Sequence, residues 1–193
     1  MLSIADKAMY QAKPQECAVG VVDIDIRTPE RLAFRSPPTR ISTMEPEKYQ
    51  AVVSALEIPE DAIISTACLD NGPVWQAFHL ASADAVLALD SARVRYPEFL
   101  ALGFIGPHDV GAECDYEVRM LAPSSGFSED PITGSLNAAI GHWLHHSNVL
   151  KSPVTVAQGT QIGRHGRVYL TPEPDDVWVG GQAKVLIEGT VTL

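Results

Sequence analysis

The order of apolar and polar positions along the chain divides it into many short strand-like stretches. In these stretches apolar residues alternate with polar ones, or form brief apolar runs between turn-prone residues, and both patterns are typical of β-strands. The stretches that we predict as strands are 19–26, 31–34, 62–67, 74–80, 102–106, 116–121, 154–157, 167–170, 177–179 and 183–193. Many short strands at close spacing, with few helices, favour a mixed, mostly antiparallel α+β fold.

Three stretches have helical patterns instead. Residues 45–56 carry apolar positions on one face and a proline in the first turn, and Ser82 is placed to cap a helix over residues 85–89. The third helix, at about 134–146, is apolar over most of its circumference, through Leu136, Ala138, Ala139, Ile140, Trp143 and Leu144. A helix of that kind belongs inside a protein. We therefore expect strands to wrap around a central buried helix.

Composition and charge narrow the classes of partner. The 193 residues are 46% hydrophobic and 20% charged, and the net charge is −10. An acidic chain is a poor match for nucleic acid or an anionic membrane surface, because both demand a basic face. No apolar run approaches the ~20 residues that span a bilayer, and the N-terminal residues do not resemble a signal peptide. We expect a cytoplasmic protein that binds neither nucleic acid nor membrane.

The residues that usually bind metals and cofactors do not form a complete motif. The three cysteines are far apart, with no CxxC pair, so disulfides and structural zinc are not expected. His142 and His146 are four residues apart on one helix face, but this is only part of a zinc site. Gly180-Gly181 lacks a dinucleotide-binding fingerprint. We expect neither metal nor organic cofactor.

The beginning of the buried helix is the strongest candidate for a ligand site. The first turn of a helix has unpaired backbone N–H groups and a partial positive charge, so it can bind an anion without any basic side chain. Gly134 lets a ligand approach the backbone, while Thr133 and Ser135 can cap the helix or donate their hydroxyls. The expected ligand is a small anion.

Charged residues near this helix end leave two questions open. Glu129 and Asp130 can stabilise the helix as capping charges, or one of them can hold and move a proton. Spacing alone favours the capping role. Arg164 and Arg167 can approach an anionic substrate, or they can simply solvate a glycine-rich turn, and the sequence favours neither. Arg119, within a predicted strand, is expected to pair with a nearby acid.

Several linked motifs carry a family resemblance. In chain order they are Arg119-Met120-Leu121-Ala122-Pro123, Gly126, Glu129-Asp130-Pro131-Ile132-Thr133-Gly134-Ser135, Gln158-Gly159, Gly163-Arg164 and Gly180-Gly181. In order and approximate spacing they resemble the phenazine-biosynthesis PhzF-like isomerase and epimerase family. The resemblance extends from about Cys17 to Leu193.

The resemblance implies a diaminopimelate-epimerase-like fold of two lobes, each with a sheet wrapped around a central helix and with the ligand in the cleft between them. It implies that Asp130 is the active-site aspartate, and that Gly134 and Ser135, with Thr133 beside them, bind the substrate carboxylate. Arg164 is a further possible contact for the anion. The implied reaction is a cofactor-independent isomerisation, in which a carbon-bound proton is removed and returned elsewhere on a small carboxylate-bearing molecule.

The sequence also departs from the family pattern. The Gly-Asn-Pro segment, the catalytic glutamate and the Gly-His-Ala-Thr stretch of the family's first lobe have no match here. We therefore expect a remnant of that lobe at 1–43, the second lobe at 44–178 and closing strands at 179–193. A truncated first lobe would expose apolar surface, which predicts a homodimer. The alternative to an isomerase is a non-catalytic protein that binds small anions or a partner on this scaffold.

Overall fold

The structure, a computed structural model, describes residues 22–28, 30–123, 128–184 and 186–190. Within these ranges lie three α-helices: α1 (Pro46–Leu56), α2 (Ala83–Leu87) and α3 (Gly134–His146). Its ten strands, in chain order, are β1 (Ile24–Asp25), β2 (Leu32–Arg35), β3 (Arg40–Ser42), β4 (Ile63–Asp70), β5 (Val74–Leu80), β6 (Leu102–Pro107), β7 (Tyr116–Leu121), β8 (Val154–Gln158), β9 (Gly166–Pro172) and β10 (Val177–Gly181). Short 3-10 helices lie at Glu60–Ala62, Ser91–Arg93 and Thr160–Ile162.

All ten strands form one sheet in the order β1-β2-β10-β9-β8-β7-β6-β5-β4-β3. Neighbouring strands are antiparallel except β5 with β6 and β7 with β8, which are parallel. The strand β2 pairs directly with β10, so the beginning and the end of the described chain meet in the sheet. The mixed, mostly antiparallel sheet with few helices confirms the predicted α+β fold.

The helix α3 lies inside the curve of this sheet. It packs against β9 and β10 on one side and against β4, near the opposite end of the strand order, on the other. Only a sheet that bends around the helix can make both contacts. Its buried residues are Leu136, Asn137, Ala138, Ala139, Ile140, Gly141, Trp143 and Leu144. The prediction of a buried central helix wrapped by strands is confirmed.

The other face of the sheet carries α1 and α2. Successive residues of a strand point to opposite faces, so Ala77 packs in the cluster around α3 while Phe78 packs in the cluster beneath α1 and α2. The helix α1 contributes Val52 and Leu56 to this second cluster. As predicted, Ser82 caps α2 by accepting a hydrogen bond from the Ala85 N–H at 3.1 Å. Two hydrophobic layers therefore hold one sheet between them.

Most predicted elements are confirmed, with three corrections. Of the strand predicted at 19–26, residues 19–21 lie outside the described residues, and among residues 22–26 the strand is limited to β1. The described residues of 183–193 form no strand, because no neighbouring strand pairs with them, and Leu186 and Ile187 are 79% and 92% exposed. The short strand β3 was not predicted, because its three residues give too brief a pattern.

The three stretches 1–43, 44–178 and 179–193 all contribute residues to the single sheet. Their assignment as a lobe remnant, a second lobe and closing strands stays a prediction. Cys68 and Cys114 are free thiols, and Cys17 lies outside the described residues. Within the described ranges, no helix has the length and apolar character needed to cross a membrane.

Candidate ligand site at the amino end of the buried helix

The helix α3 begins without a side-chain cap. Thr133 occupies the capping position with an extended backbone (φ −124°, ψ 99°), and its hydroxyl makes no hydrogen bond to the first turn. The N–H groups of Gly134, Ser135 and Leu136 donate to no described residue. Gly134 is exposed, and a Cβ built there would meet no atom within 4 Å. Leu136 is completely buried, so the N–H groups of Gly134 and Ser135 are the donors that are open to a ligand.

Asp130 is held beside this helix end by Thr133. The Thr133 hydroxyl donates to Asp130 Oδ2 at 2.5 Å, and the Asp130 N–H donates to the Met120 carbonyl of β7 at 3.1 Å. Asp130 is half-buried, and its Oδ1 accepts no hydrogen bond from a described residue. One carboxylate oxygen is thus fixed, while the other is available to a ligand.

Gln158, the last residue of β8, connects these groups. Its Nε2 donates to the Asp130 carbonyl at 3.1 Å and to Thr133 Oγ1 at 3.0 Å. Its Oε1 accepts from the Thr133 N–H at 3.1 Å and from Asn137 Nδ2 at 2.8 Å. A backbone carbonyl accepts and a backbone N–H donates, so these partners fix which end of the amide is which. The completely buried Gln158 is therefore fully hydrogen-bonded.

The loop before the helix packs against glycines. A Cβ at Gly159 would lie 2.7 Å from the Pro131 carbonyl oxygen, and one at Gly166 would lie 2.9 Å from the same atom. Gly159 also has a φ of +87°, which an L side chain rarely adopts. The Gln-Gly motif thus contributes a polar side chain at one position and, at the next, room for the loop to approach.

A buried ion pair holds the loop on its other side. Arg119 of β7 donates to both carboxylate oxygens of Glu129, with Nη2 2.7 Å from Oε2. Its Nη1 donates to the carbonyls of Val86 and Leu89 at the end of α2 at 3.1 and 2.6 Å. The pairing expected for Arg119 is confirmed. A capping role for Glu129 is wrong, because its carboxylate is bonded to Arg119 and not to the helix.

The two arginines of the glycine-rich turn, Arg164 and Arg167, have different surroundings. Arg167 is bonded to Glu113 and to the Gly166 carbonyl. Arg164 is exposed, and its guanidinium bonds to no described residue. Arg164 lies close to the loop: a Cβ built on Gly159 would be 2.8 Å from the Arg164 Cβ and 2.7 Å from the Pro131 carbonyl oxygen. Of the two, Arg164 is therefore the cation beside the loop that remains free for a ligand.

The sequence motifs predicted which residues meet at the beginning of α3, but not which contacts hold them together. The structure brings together Asp130, Thr133, Gly134 and Ser135, with Arg164 beside the loop before the helix. The bridging role of Gln158 was not predicted, although its place in the Gln-Gly motif marked it. Asn137, a buried polar residue in an otherwise apolar helix, was a further signal.

A cleft of about 420 Å³ lies at the opposite end of α3. It is lined by Thr39, Ile41, His142, His145, His146, Asn148, Pro174 and Asp175. It is therefore separate from the motif residues at the amino end. Among the residues that the structure describes, no group of three or more His, Cys, Asp or Glu side chains could hold a metal ion.

Comparison with known proteins identifies the relatives of this chain. A family model described as phenazine biosynthesis-like protein matches residues 8–192. An uncharacterized isomerase of Escherichia coli, YddE, is 37% identical over 160 residues, which are 74% of this chain and 54% of that protein. Antisense-enhancing sequence 1 of Schizosaccharomyces pombe is 28% identical over 91% of this chain and 65% of its own length. The trans-2,3-dihydro-3-hydroxyanthranilate isomerase of Pseudomonas fluorescens is 29% identical over 136 residues.

Solved structures share the fold. A PhzF-family phenazine biosynthesis protein of Bacillus anthracis superimposes with a TM-score of 0.63 at 13% identity, covering 83% of this chain and 61% of that one. A PhzF-family protein of Enterococcus faecalis gives 0.61 at 19% identity, covering 90% and 62%. The chain thus spans between about half and two thirds of the length of these relatives.

Proposed function

The chain belongs to the phenazine biosynthesis-like (PhzC-PhzF) family, and on that premise we propose that it acts as a cofactor-independent isomerase or epimerase on a small carboxylate-bearing substrate. Asp130 is the proposed proton-transfer group. Thr133, Gly134 and Ser135 form the proposed carboxylate site, and Arg164 is a further contact for the anion. The family's isomerase relatives, YddE and the hydroxyanthranilate isomerase, support this class of reaction.

One observation carries the proposal: the free N–H groups of α3 lie next to a fixed carboxylate. An anion at the helix end is stabilised by the N–H groups of Gly134 and Ser135 and by the helix dipole. Asp130 adjoins that end, tied through Thr133, and presents Oδ1 without a partner among the described residues. A bound carboxylate would therefore hold its neighbouring carbon near a group that can accept a proton.

The proposed chemistry is a proton transfer within the bound substrate. The Asp130 carboxylate takes a proton from carbon, and the electron pair of that C–H bond delocalises into the adjacent unsaturated system or carboxylate. Asp130 then returns the proton to another carbon on the same face in an isomerisation, whereas an epimerisation would need a second acid on the opposite face of the same carbon. Such transfer needs the base within hydrogen-bond reach of the proton it removes.

The burial of Glu129 favours a second candidate, a protein that binds small anions without transferring a proton. Both oxygens of that carboxylate are bonded to Arg119. Glu129 is therefore not available for proton transfer, and Asp130 is the acid of the described motif that could transfer a proton. A reaction that needs a second acid or base would have to find it outside the described part of the motif.

Deuterium exchange tests the two candidates directly. Cyclic 2-amino and 2-hydroxy acids, with trans-2,3-dihydro-3-hydroxyanthranilate first, are incubated with the protein in D₂O and followed by proton NMR. We expect loss of a carbon-bound proton signal, abolished in Asp130→Asn and unchanged in the exposed control Asp84→Asn on α2. If the acids bind but never exchange, and Asp130→Asn changes affinity alone, the protein is an anion-binding protein.

The assembly state and location are also proposals. Self-association as a homodimer is tested by light scattering at micromolar concentration, where a monodisperse monomer contradicts it. A cytoplasmic location is tested by cell fractionation, where recovery of the protein with membranes or in the medium contradicts it.

A further inference from the structure

The capping residue of α3 does not cap its helix. Threonine is among the residues preferred at this position, because its hydroxyl accepts a hydrogen bond from the second or third N–H of the helix. Here the Thr133 hydroxyl instead donates to Asp130 and accepts from Gln158 Nε2. Groups outside the helix therefore fix the orientation of this hydroxyl.

Gln158 is the residue that fixes the orientation of Thr133. It is completely buried, and it binds Thr133 twice, at the hydroxyl through Nε2 and at the backbone N–H through Oε1. The second bond also satisfies the donor that precedes the helix, so no other acceptor is required there. The Asp130 carbonyl and Asn137 Nδ2 hold the other sides of the same amide.

We propose that Gln158 is a positioning residue that keeps the amino end of α3 uncapped, so that the N–H groups of Gly134 and Ser135 stay free for the anionic group of the substrate. It acts through Thr133, by holding the hydroxyl away from the helix and toward Asp130. This role rests on the proposed function, because it concerns the same carboxylate site. It also explains why a good capping residue stands at a helix end that must bind a ligand.

The variant Gln158→Met tests this role. Methionine has a similar length but cannot form these hydrogen bonds, so the Thr133 hydroxyl becomes free to accept from the N–H of Ser135, the second of the helix. A capping bond is worth about 1 kcal/mol, and displacing it lowers the affinity for an anion about fivefold. Inorganic sulfate is the probe, titrated while the Gly134 and Ser135 amide resonances are followed by NMR.

The double variant Gln158→Met with Thr133→Val separates positioning from simple damage. Valine has no hydroxyl and cannot cap, so we expect sulfate affinity to return toward that of the unmodified protein. If Gln158→Met acts only by loosening the structure, the second substitution restores nothing. Loss of affinity without this recovery overturns the proposal.

Hydrogen exchange of the amide of Ser135, which is partly exposed, gives a second measurement without an anion. We expect this amide to be unprotected in the unmodified protein, protected in Gln158→Met and unprotected again in the double variant. Equal protection in all three proteins overturns the role of Gln158. Failure of sulfate to shift the Gly134 and Ser135 resonances of the unmodified protein, with the exchange pattern as expected, contradicts the anion site alone.

Discussion

Arg119 and Glu129 form an ion pair that is almost completely removed from solvent, with side chains 3% and 1% exposed. The guanidinium Nε lies 3.1 Å from each carboxylate oxygen. The same guanidinium also binds carbonyls at the end of α2. Arg119 therefore connects α2 to Glu129, the residue that precedes Asp130. The position of the site thus depends on two charges buried on the other side of the sheet.

Breaking this pair should destabilise the protein strongly. Arg119→Met leaves the Glu129 carboxylate buried without its partner. Glu129→Leu leaves the Arg119 guanidinium buried without its partner. Each change is expected to lower the free energy of unfolding by about 3–5 kcal/mol. The double variant should lose less than the sum of the two, because neither charge is left alone. Urea unfolding measures all four proteins, and additive losses would contradict the coupling.

Gly134→Ala should separate ligand binding from stability. The position is open, so an alanine Cβ fits the protein, and the lower entropy of the unfolded chain adds about 0.4–1 kcal/mol of stability. The methyl group would nevertheless occupy the space through which an anion approaches the N–H groups. We expect an unchanged or higher melting temperature with at least tenfold weaker sulfate binding, a loss of about 1.4 kcal/mol. The exposed His146→Ala at the far end of α3 is the control, and equal sulfate affinity in both variants would contradict the site.

Gly159 and Gly163 form a matched pair for testing how the loop packs. Both have positive φ, +87° and +68°, but only a Cβ at Gly159 meets the Pro131 carbonyl oxygen. Gly163→Ala should cost about 1–2 kcal/mol from backbone strain alone. Gly159→Ala should cost more and should also weaken sulfate binding, because the loop that carries Asp130 must move. Equal losses in stability and affinity would show that the close approach to Pro131 does not matter.

The buried Glu117 should make stability fall as the pH rises. Burial raises the pKa of this carboxyl above its ordinary 4.5, against the lowering effect of hydrogen bonds from Thr160 and His108 and of the charge on Arg167. From about that pH upward the unfolded chain releases the proton while the folded protein retains it, so stability declines until the folded pKa is passed. Glu117→Gln should remove this decline.

Urea unfolding of Glu117→Gln at a series of pH values from about 4 to 8 measures the effect. The control is Glu113→Gln, whose side chain is 81% exposed and forms only a surface pair with Arg167. We expect the control to follow the pH profile of the unmodified protein. A Glu117→Gln profile that also follows it would show that burial of this carboxyl has no net effect on stability.

Local patterns predicted those parts of the fold in which the signal lies within one element. The strand β5 (Val74–Leu80) and the buried helix α3 each carry their pattern in consecutive residues, and the predicted bounds of both agree with the structure. The stretch 183–193 has a strand-like pattern too, but a strand also needs a neighbour, and none pairs with its described residues. The sequence of a segment does not show whether another strand lies beside it in the folded protein.

The candidate site shows the same limit. The motif around Asp130 identified the helix end, because the chemistry of a helix amino terminus follows from local sequence. The function of Gln158 could not be predicted in this way, since its bonds to Thr133 and Asp130 cross 25 and 28 residues of chain. The acid that pairs with Arg119 was likewise a matter of tertiary contact.

The pairing of β2 with β10 has a consequence for how the protein folds. Arg35 of β2 bonds to Asp176, 141 residues further along the chain, where β2 and β1 join the sheet beside β10. Contacts between such distant residues form slowly, because the entropy of closing a long loop is lost before the contact stabilises anything. The candidate ligand site lies on α3, which packs against the late strands β9 and β10. The site should therefore be among the last parts of the molecule to become ordered during synthesis, after nearly the whole described chain is available.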